Sequence, residues 1–286
     1  MRSGILKLGR PFILGNAALL MAVPVVAFLT PAPAAHAAGD LLVAPTRVIM
    51  DGRRGAQVIL NNVGDEETTY RISLELRRMN ADGKLDDVAP ESETEHEKSA
   101  VAAIRFAPKR VTLPPNQPQS IRVGMQGTET LPDGEYRAHM LFQAIPKPRD
   151  SSQDANIGNE IKIQLTPIYG ISIPIIVRKG SVSATAAIAN ARLGTAIEGP
   201  ALVFDITRTG TKSVFGEIQV TKRGQSEPVI VAKAIAVYPE VGSRKVVLDL
   251  SPEEMALLKG SEATISYYEA TEVGGGLITQ LRTVLN

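Results

Sequence analysis

The sequence predicts an all-β protein made of two tandem β-sandwich domains after a cleaved signal peptide. Beyond residue 40, apolar and polar residues alternate with a period of two in a long series of short segments, which is typical of strands with one buried face. Clusters of Gly, Pro, Asn and Asp separate these segments, as turns do. Almost nothing has helical periodicity, and the segments form two series, each of the length of one sandwich domain.

The first 37 residues have the pattern of a signal peptide. An apolar stretch follows three positive residues, which are Arg2, Lys7 and Arg10. Residues 35–37, Ala-His-Ala, supply the small side chains that signal peptidase accepts. Asn16 and Pro24 interrupt the apolar stretch, whereas a retained anchor needs about 20 apolar residues in succession. We therefore expect cleavage after Ala37, export to the periplasm and no membrane insertion of the mature chain.

The composition of the mature chain excludes several function classes. Removal of residues 1–37 takes away three basic residues and no acidic ones, so 28 basic and 30 acidic residues remain and the net charge is −2. This charge provides no basic field for nucleic acid, and we expect no nucleic-acid partner. The sequence has no cysteine, which excludes disulfides and thiol catalysis.

The first domain is predicted over residues 38–179. Its expected strands lie in the segments LLVAPTRVIM, AQVILNN, TTYRISLELRRM, VAAIRFAPKRVTL, SIRVGM and LPDGEYRAHMLFQAIP, followed by a long strand from residue 160. The polar and acidic segment NADGKLDDVAPESETEHEKSA is expected to be a mobile connection. Tyr136 follows an Asp-Gly turn at the start of a strand, which is the position of the tyrosine corner in immunoglobulin-like sandwiches, although an ordinary core tyrosine also fits there.

The second domain is predicted over residues 180–286, also with an immunoglobulin-like sandwich. Seven strand segments follow one another over about 105 residues: VSATAAIANARL, ALVFDITRTG, SVFGEIQVTKRG, PVIVAKAIAVYP, RKVVLDL, ATISYYEA and GLITQLRTVL. One short helix is expected in SPEEMALLKG. Ser251 and Glu254 have the spacing of a capping box, Pro252 suits the first helical position, and Gly260 suits the end.

The sequence does not predict an enzyme or a cofactor. The mature chain retains only His96 and His139, which lack metal-ligand spacing, and both are expected on the surface. The acidic run from Glu91 to Glu97 is expected to be solvated, because the residues around Gly83 lack the closing Glu of a calcium loop. A secreted hydrolase is the weakest hypothesis, because the sequence indicates no nucleophile, general base or metal ligands for such an enzyme.

Residues 160 to 178 predict an unusually long strand. Every odd position from Ile161 to Val177 is apolar or Pro or Tyr, whereas Glu160, Lys162 and Gln164 occupy the even positions. At about 3.3 Å per residue this strand would be about 55 Å long, whereas strands usually have about 5 to 6 residues. Either the strand is simply long and leads into the second domain, or part of its apolar row is offered to another protein as an edge strand.

These segments resemble a known family. TRVIMDG opens the first domain, LPDGEYRAHMLFQAIP lies in its middle, and the long alternating strand ends in IVRKG. Behind a signal peptide and in two tandem sandwiches, they resemble the periplasmic chaperones of chaperone-usher pilus assembly, PapD-like proteins. The resemblance covers essentially the whole mature chain and consists of strand patterns rather than a catalytic signature.

The resemblance implies binding without catalysis. Such a chaperone caps a pilus or fimbrial subunit that lacks one strand, by donor-strand complementation, and delivers it to an outer-membrane usher. The donors in this sequence would be Ile161, Ile163, Leu165, Pro167 and Tyr169. The row would be exposed in the free protein, which motivates an expectation of weak self-association.

Further residues follow from the resemblance. The family anchors the carboxyl terminus of the subunit with an Arg and a Lys. Arg47 matches this Arg, whereas Pro174 stands at the position of the Lys. A solvated edge-strand Arg is the alternative for Arg47. The family also has a charge cluster between its domains, which implies roles for Glu135, Arg178 and Glu269, with Glu272 as the competitor of Glu269.

Two functions therefore compete. The first is a periplasmic chaperone of pilus subunits. The second is a divergent chaperone-like protein of the cell envelope that acts as an adhesive or scaffolding module without pilin clients, and Pro174 is the residue that favours it.

Overall fold

The computed structural model describes residues 41–52, 54–147, 168–197 and 199–286. It confirms the predicted fold class, because strands dominate and form two β-sandwiches. The predicted signal peptide lies outside the described residues. Within the described ranges, neither α-helix is long and apolar enough to cross a membrane.

Eleven strands and one α-helix precede residue 180. The strands are β1 (Leu41–Ala44), β2 (Val48–Met50), β3 (Ala56–Asn62), β4 (Thr68–Glu75), β5 (Arg77–Met79), β6 (Leu85–Asp87), β7 (Ile104–Ala107), β8 (Arg110–Leu113), β9 (Gln119–Met125), β10 (Gly134–Ile145) and β11 (Gly170–Lys179), and helix α1 spans Glu95–Ala103. One sheet has the order β1-β3-β9-β7 and the other the order β2-β11-β10-β4-β8. Their buried apolar residues form one continuous core, so these two sheets are the layers of the first sandwich.

Two predicted strands each divide at a proline. Pro45 lies between β1 and β2, and Pro108 lies between β7 and β8. The two halves belong to opposite sheets in both cases. Proline has no N–H to donate to a ladder, so it suits the point at which a chain leaves one sheet and enters the other.

The segment expected to be a mobile connection is ordered, and that expectation was wrong. It contains the turn and the second strand of the β5–β6 hairpin, a 3₁₀ turn at Pro90–Ser92 and most of helix α1. The Thr94 hydroxyl accepts the backbone N–H of Glu97, and the Glu97 carboxylate accepts that of Thr94, which completes a capping box. Thr94 and Glu97 have the Thr-x-x-Glu spacing that would have indicated this helix start.

Strand β10 lies at the centre of its sheet, between β4 and β11. Tyr136, Met140 and Phe142 are buried in the core, as their alternation predicts. The Tyr136 hydroxyl donates a 2.9 Å hydrogen bond to the carbonyl of Pro132, four residues upstream. This bond is the one that defines a tyrosine corner, so the structure supports that interpretation over an ordinary core tyrosine.

Seven strands and one α-helix follow residue 180. They are β12 (Ala184–Ala196), β13 (Gly199–Gly210), β14 (Val214–Lys222), β15 (Ile230–Val237), β16 (Ser243–Asp249), β17 (Glu262–Glu269) and β18 (Leu277–Val284), with α2 at Pro252–Leu258. All seven match the predicted segments. A three-stranded sheet β12-β13-β16 packs on a four-stranded sheet β15-β14-β17-β18 around a second core. Helix α2 has the predicted capping box of Ser251 and Glu254.

The chain passes from the first sandwich to the second between Lys179, where β11 ends, and Ala184, where β12 begins. The exact domain boundary predicted after residue 179 stays a prediction. A third apolar cluster joins the two sandwiches. It contains Met79 and Ile176 from the first sandwich and Ala236 and Tyr238 from the second.

Candidate functional site

The two sandwiches meet along one face of the sheet that contains β2, β10 and β11. We call this region the interdomain cleft and define it by Arg47, Glu135, Arg137, His139 and Tyr238. The first four belong to the first sandwich, and Tyr238 follows strand β15 of the second. Side chains on this sheet alternate between the core and the cleft, so the period-2 pattern selects which residues enter the cleft.

Arg47 lies immediately before β2 and reaches across the cleft. Its Nη1 donates a 2.9 Å hydrogen bond to the Tyr238 hydroxyl, and its Nη2 donates a 3.1 Å hydrogen bond to Ser213 Oγ. The guanidinium carbon lies 4.3 Å from the centre of the Phe215 ring, within cation–π range. Nε is buried without a hydrogen-bond partner, and within the described residues no carboxylate pairs with Arg47. Arg47 is therefore a cation in the cleft whose charge is not matched by a carboxylate of the described chain.

Glu135 and Arg178 form a buried ion pair. Arg178 Nε donates to Glu135 Oε2 over 3.0 Å, and the side chain of Glu135 has no exposed area. The backbone N–H of Ser213, from the second sandwich, donates to the same oxygen over 3.1 Å. The structure thus brings together two of the three residues of the predicted charge cluster, and Glu135 also contacts the second sandwich directly.

Glu269 lies near this pair but has a different partner. Its Oε1 lies 3.9 Å from Lys212 Nζ, and Lys212 precedes Ser213 in the chain. Glu269 is therefore linked to the Glu135–Arg178 pair through the neighbouring residues Lys212 and Ser213. Its predicted role in a single cluster stays a prediction.

His139 is buried, and the expectation that it lies on the surface was wrong. Its exposed fraction is 2%, and neither ring nitrogen has a hydrogen-bond partner in the described residues. Burial, reinforced by the positive charges of Arg137, Arg77 and Arg47, lowers its pKa to about 3, so the ring is neutral at pH 7. His139 does point away from the first core, as its position in β10 predicts, but the second sandwich covers that face.

His139 and Pro174 are direct partners in the β10–β11 ladder. The other neighbour of His139 across the sheet is Glu75 on β4. Glu75 accepts hydrogen bonds from Arg77 Nε and Ser172 Oγ, over 2.8 and 2.7 Å. Pro174 therefore lies beside a neutral histidine.

His96 lies on the surface, as expected, but has a structural role. Its ring stacks on Tyr136 with 4.4 Å between the ring centres. Its Nε2 donates a 3.0 Å hydrogen bond to the carbonyl of Glu135. These contacts hold helix α1 against the start of β10.

Arg137 contacts both sandwiches. It pairs with Glu240 of the second sandwich and donates a 2.9 Å hydrogen bond from Nη2 to the carbonyl of Arg77. Its guanidinium carbon lies 3.5 Å from the centre of the Tyr238 ring. Nη1 is buried without a partner. Tyr238 therefore contacts both Arg137 and Arg47.

The β5–β6 hairpin makes further contacts with the second sandwich. The backbone N–H of Lys245 donates a 2.7 Å hydrogen bond to the carbonyl of Ala81, and Lys245 Nζ lies 3.6 Å from Asp82. The backbone N–H of Met79 donates to Glu240 over 2.9 Å. These polar contacts surround the apolar cluster of Met79, Ile176 and Tyr238.

Only part of the predicted donor row can be located. Ile161, Ile163, Leu165 and Pro167 lie outside the described residues. Tyr169 is described, directly before β11, with an exposed fraction of 46%, and its carbonyl accepts a 3.0 Å hydrogen bond from the N–H of Ala144. Further along β11, the odd residues Ile173, Ile175 and Val177 are buried, as the alternation predicts.

Solved structures of pilus chaperones are similar to this structure. The YadV chaperone has a TM-score of 0.46 at 14% identity, with 85% of this chain and all of that chain covered. The CupB2 chaperone of Pseudomonas aeruginosa has a TM-score of 0.45 at 13% identity, over 86% of this chain and 100% of that one. The chaperone–tip adhesion subunit complex CsuC–CsuE of Acinetobacter baumannii has a TM-score of 0.43 at 12% identity, over 86% and 97%.

No family model matches the sequence, and no curated protein does. Among the described residues, no group of three or more His, Cys, Asp or Glu side chains could hold a metal ion.

The sequence did not indicate several residues of the cleft. Tyr238, Ser213 and Phe215 belong to the second sandwich, and only the packing of the two sandwiches brings them to Arg47. One available signal was the unbroken apolar run from Ile175 to Val177, since a strand that is buried on both faces has such a run. The run from Ile235 to Tyr238 has the same character, and all four of its residues are buried.

Proposed function

We propose that this protein is a periplasmic chaperone that binds and caps pilus or fimbrial subunits and delivers them to an outer-membrane usher. The observation that carries the proposal is the position of Arg47. Its guanidinium lies in the interdomain cleft without a carboxylate partner in the described chain, next to the strand that continues the predicted donor row.

The predicted donor row would stabilise an incomplete subunit for a physical reason. A subunit that lacks one strand exposes its core and an unpaired sheet edge, and both favour aggregation. A borrowed strand supplies ladder hydrogen bonds as well as core side chains. The odd residues Ile161, Ile163 and Leu165, with Pro167 and Tyr169, would supply the side chains, and the even residues would remain outside the subunit.

Arg47 would bind the carboxyl terminus of the subunit. A carboxylate accepts charge-assisted hydrogen bonds from a guanidinium, and these are stronger than bonds between neutral groups. The site is partly buried, so salt screens the pair less than it would on an open surface. One fixed end point would also set the register of the subunit along the donor row.

The test is co-purification of bound proteins from the periplasm, with partners identified by mass. It compares the intact protein with Ile163→Asp, which places a charge on the donor face, and with Arg47→Ala. Gln164→Asp is the matched control for the first variant because the predicted alternation assigns residue 164 to the opposite face. Arg122→Ala is the control for the second, since Arg122 is exposed on β9 in the other sheet.

We expect the intact protein and both controls to retain a pilin-like partner, and both test variants to lose it. Absence of any partner from the intact protein would favour the second function, an adhesive or scaffolding module of the envelope. Equal retention by Ile163→Asp and Gln164→Asp would remove the donor-strand part of the proposal. Light scattering of the free protein tests the expected weak self-association, which a monomer at high concentration would exclude.

A further inference from the structure

Unpartnered hydrogen-bond donors of three neighbouring side chains occur together in the interdomain cleft. Arg47 Nε, Arg137 Nη1 and the ring nitrogens of His139 are all buried and have no hydrogen-bond partner in the described residues. Buried donors usually have partners, because an unmade hydrogen bond costs about 1 to 3 kcal/mol. Three such side chains in one region therefore indicate a site for an acceptor that comes from outside the chain.

The strand ladder places these side chains next to one another. Arg137 and His139 are two residues apart on β10, so they point to the same face. His139 lies opposite Pro174 on β11, and β11 pairs with β2, which begins one residue after Arg47. Arg47 and Arg137 also both contact the ring of Tyr238, with distances of 5.2 and 3.5 Å from guanidinium carbon to ring centre.

The charges around the site leave one arginine without a described carboxylate partner. Arg77 pairs with Glu75, Arg137 with Glu240 and Arg178 with Glu135. Arg47 has only neutral partners, Tyr238 and Ser213. Burial is the main cause of the lowered pKa of His139, and the positive charges of Arg137, Arg77 and Arg47 lower it further. Glu75 lies opposite on β4, but it already accepts hydrogen bonds from Arg77 and Ser172. A planar carboxylate has two oxygens and about four acceptor positions, which suits several donors from different strands.

We propose that β10 forms the second half of a carboxylate-binding site, in which His139 and Arg137 act together with Arg47. Pro174 on β11 has no N–H to donate, whereas its ladder partner His139 on β10 has a ring N–H. Arg137, whose charge is paired with Glu240, supplies the unpartnered N–H groups of Nη1, and the neutral His139 ring donates one N–H to the ligand. The inference rests on the proposed function for the source of the carboxylate, the carboxyl terminus of a bound subunit, but the site itself can be tested without any subunit.

The histidine rings provide the test. The mature chain has only two, His96 and His139, so their ring nitrogens can be assigned and followed by NMR in the full mature protein. Sodium acetate is added at constant ionic strength, with acetamide as the neutral control of similar shape. We expect a saturable shift of the His139 signals with acetate, little change with acetamide, and no comparable change at His96.

Two further probes distinguish the sources of the carboxylate. An N-acetylated tetra-alanine with a free carboxyl terminus is compared with the same peptide as its C-terminal amide. A shift by the acid and not by the amide supports a site for chain termini. A shift by acetate alone supports the site but assigns it to small free anions and counts against the chain terminus. Equal shifts by charged and neutral probes, or no shift of His139 by any of them, would overturn the proposal.

Variants test the individual residues by the acetate-dependent rise in melting temperature. His139→Leu and Arg137→Gln should each weaken acetate binding by about tenfold, the effect of losing one hydrogen bond to a charged group. His139→Gln keeps a donor and should recover part of the binding. Arg122→Ala should have no effect. Normal acetate binding by His139→Leu would contradict the role of His139, and that result is independent of whether a pilin co-purifies.

Discussion

The guanidinium of Arg47 donates a 2.9 Å hydrogen bond to the hydroxyl of Tyr238, and this bond joins the two sandwiches. Arg47 lies before the second strand of the first sandwich, whereas Tyr238 lies in the second sandwich, 191 positions later. The residue proposed to bind a ligand carboxylate therefore also contributes to the contact between the domains. The interdomain contact uses Nη1 and Nη2 of this guanidinium, and Nε remains without a partner among the described residues.

Loss of the Tyr238 hydroxyl should weaken the contact between the sandwiches without creating a cavity. Tyr238→Phe removes one partly buried hydrogen bond and keeps the aromatic ring that contacts Arg47 and Arg137. We expect the free energy of unfolding to fall by about 1 kcal/mol, the usual net value of such a bond. Urea unfolding measures it, with Tyr268→Phe as the control, since no described hydrogen bond involves the Tyr268 hydroxyl. Equal effects of the two substitutions would contradict the role of the Arg47 contact.

The burial of His139 should make stability fall below pH 7. Its pKa is about 3 in the folded protein and about 6.5 in the unfolded chain, so the unfolded chain binds the proton first. The contribution of the neutral His139 ring to the free energy of unfolding is fully present above pH 6.5 and is lost as the pH falls from there towards 3. Between pH 7.5 and 5.5 we expect this residue alone to lower the free energy of unfolding by about 1.4 kcal/mol.

Urea unfolding at several pH values tests this linkage. His139→Gln does not titrate and should remove the decline in that window, whereas His96→Gln should retain it. The window lies above the range in which most carboxylates titrate, which separates the histidine from them. An unchanged decline in His139→Gln would show that another group causes it.

The Glu135–Arg178 pair should show strong coupling in a double-mutant cycle. Glu135→Leu leaves the largely buried Arg178 without its partner, and we expect a cost of about 3 kcal/mol. Glu135→Leu combined with Arg178→Leu removes both charges and should cost clearly less than the two single substitutions together. Urea unfolding of the four proteins gives the coupling energy. Strict additivity would mean that the two charges do not interact.

The tyrosine corner should stabilise the first sandwich. Tyr136→Phe removes the hydroxyl that donates to the carbonyl of Pro132. We expect the free energy of unfolding to fall by about 1 kcal/mol, because the Pro132 carbonyl loses its hydrogen bond from the tyrosine. The ring should keep its contact with His96, so the effect is confined to the hydroxyl. A loss no larger than that of Tyr268→Phe would contradict a stabilising role.

Local patterns were sufficient for most of the fold. Period-2 alternation located the strands of both sandwiches, and the Ser251-x-x-Glu254 spacing located helix α2. The same kind of spacing at Thr94 and Glu97 was present but was outweighed by the acidic composition around it, so helix α1 was missed. The splits at Pro45 and Pro108 were also missed, because a strand pattern does not show which sheet each half joins.

By itself, the sequence determined the all-β class, the series of strands and the outward face of β10 on which His139 lies. These properties depend on neighbours within a few residues, through alternation, turn residues and capping. Only the tertiary structure decided what meets the outward face of β10 and β11. The second sandwich covers that face, so His139 is buried and neutral, Ile176 lies in an apolar contact, and Arg47 meets Tyr238. Alternation shows which face of a strand packs on its own core, but it does not show whether the opposite face meets solvent or a second domain.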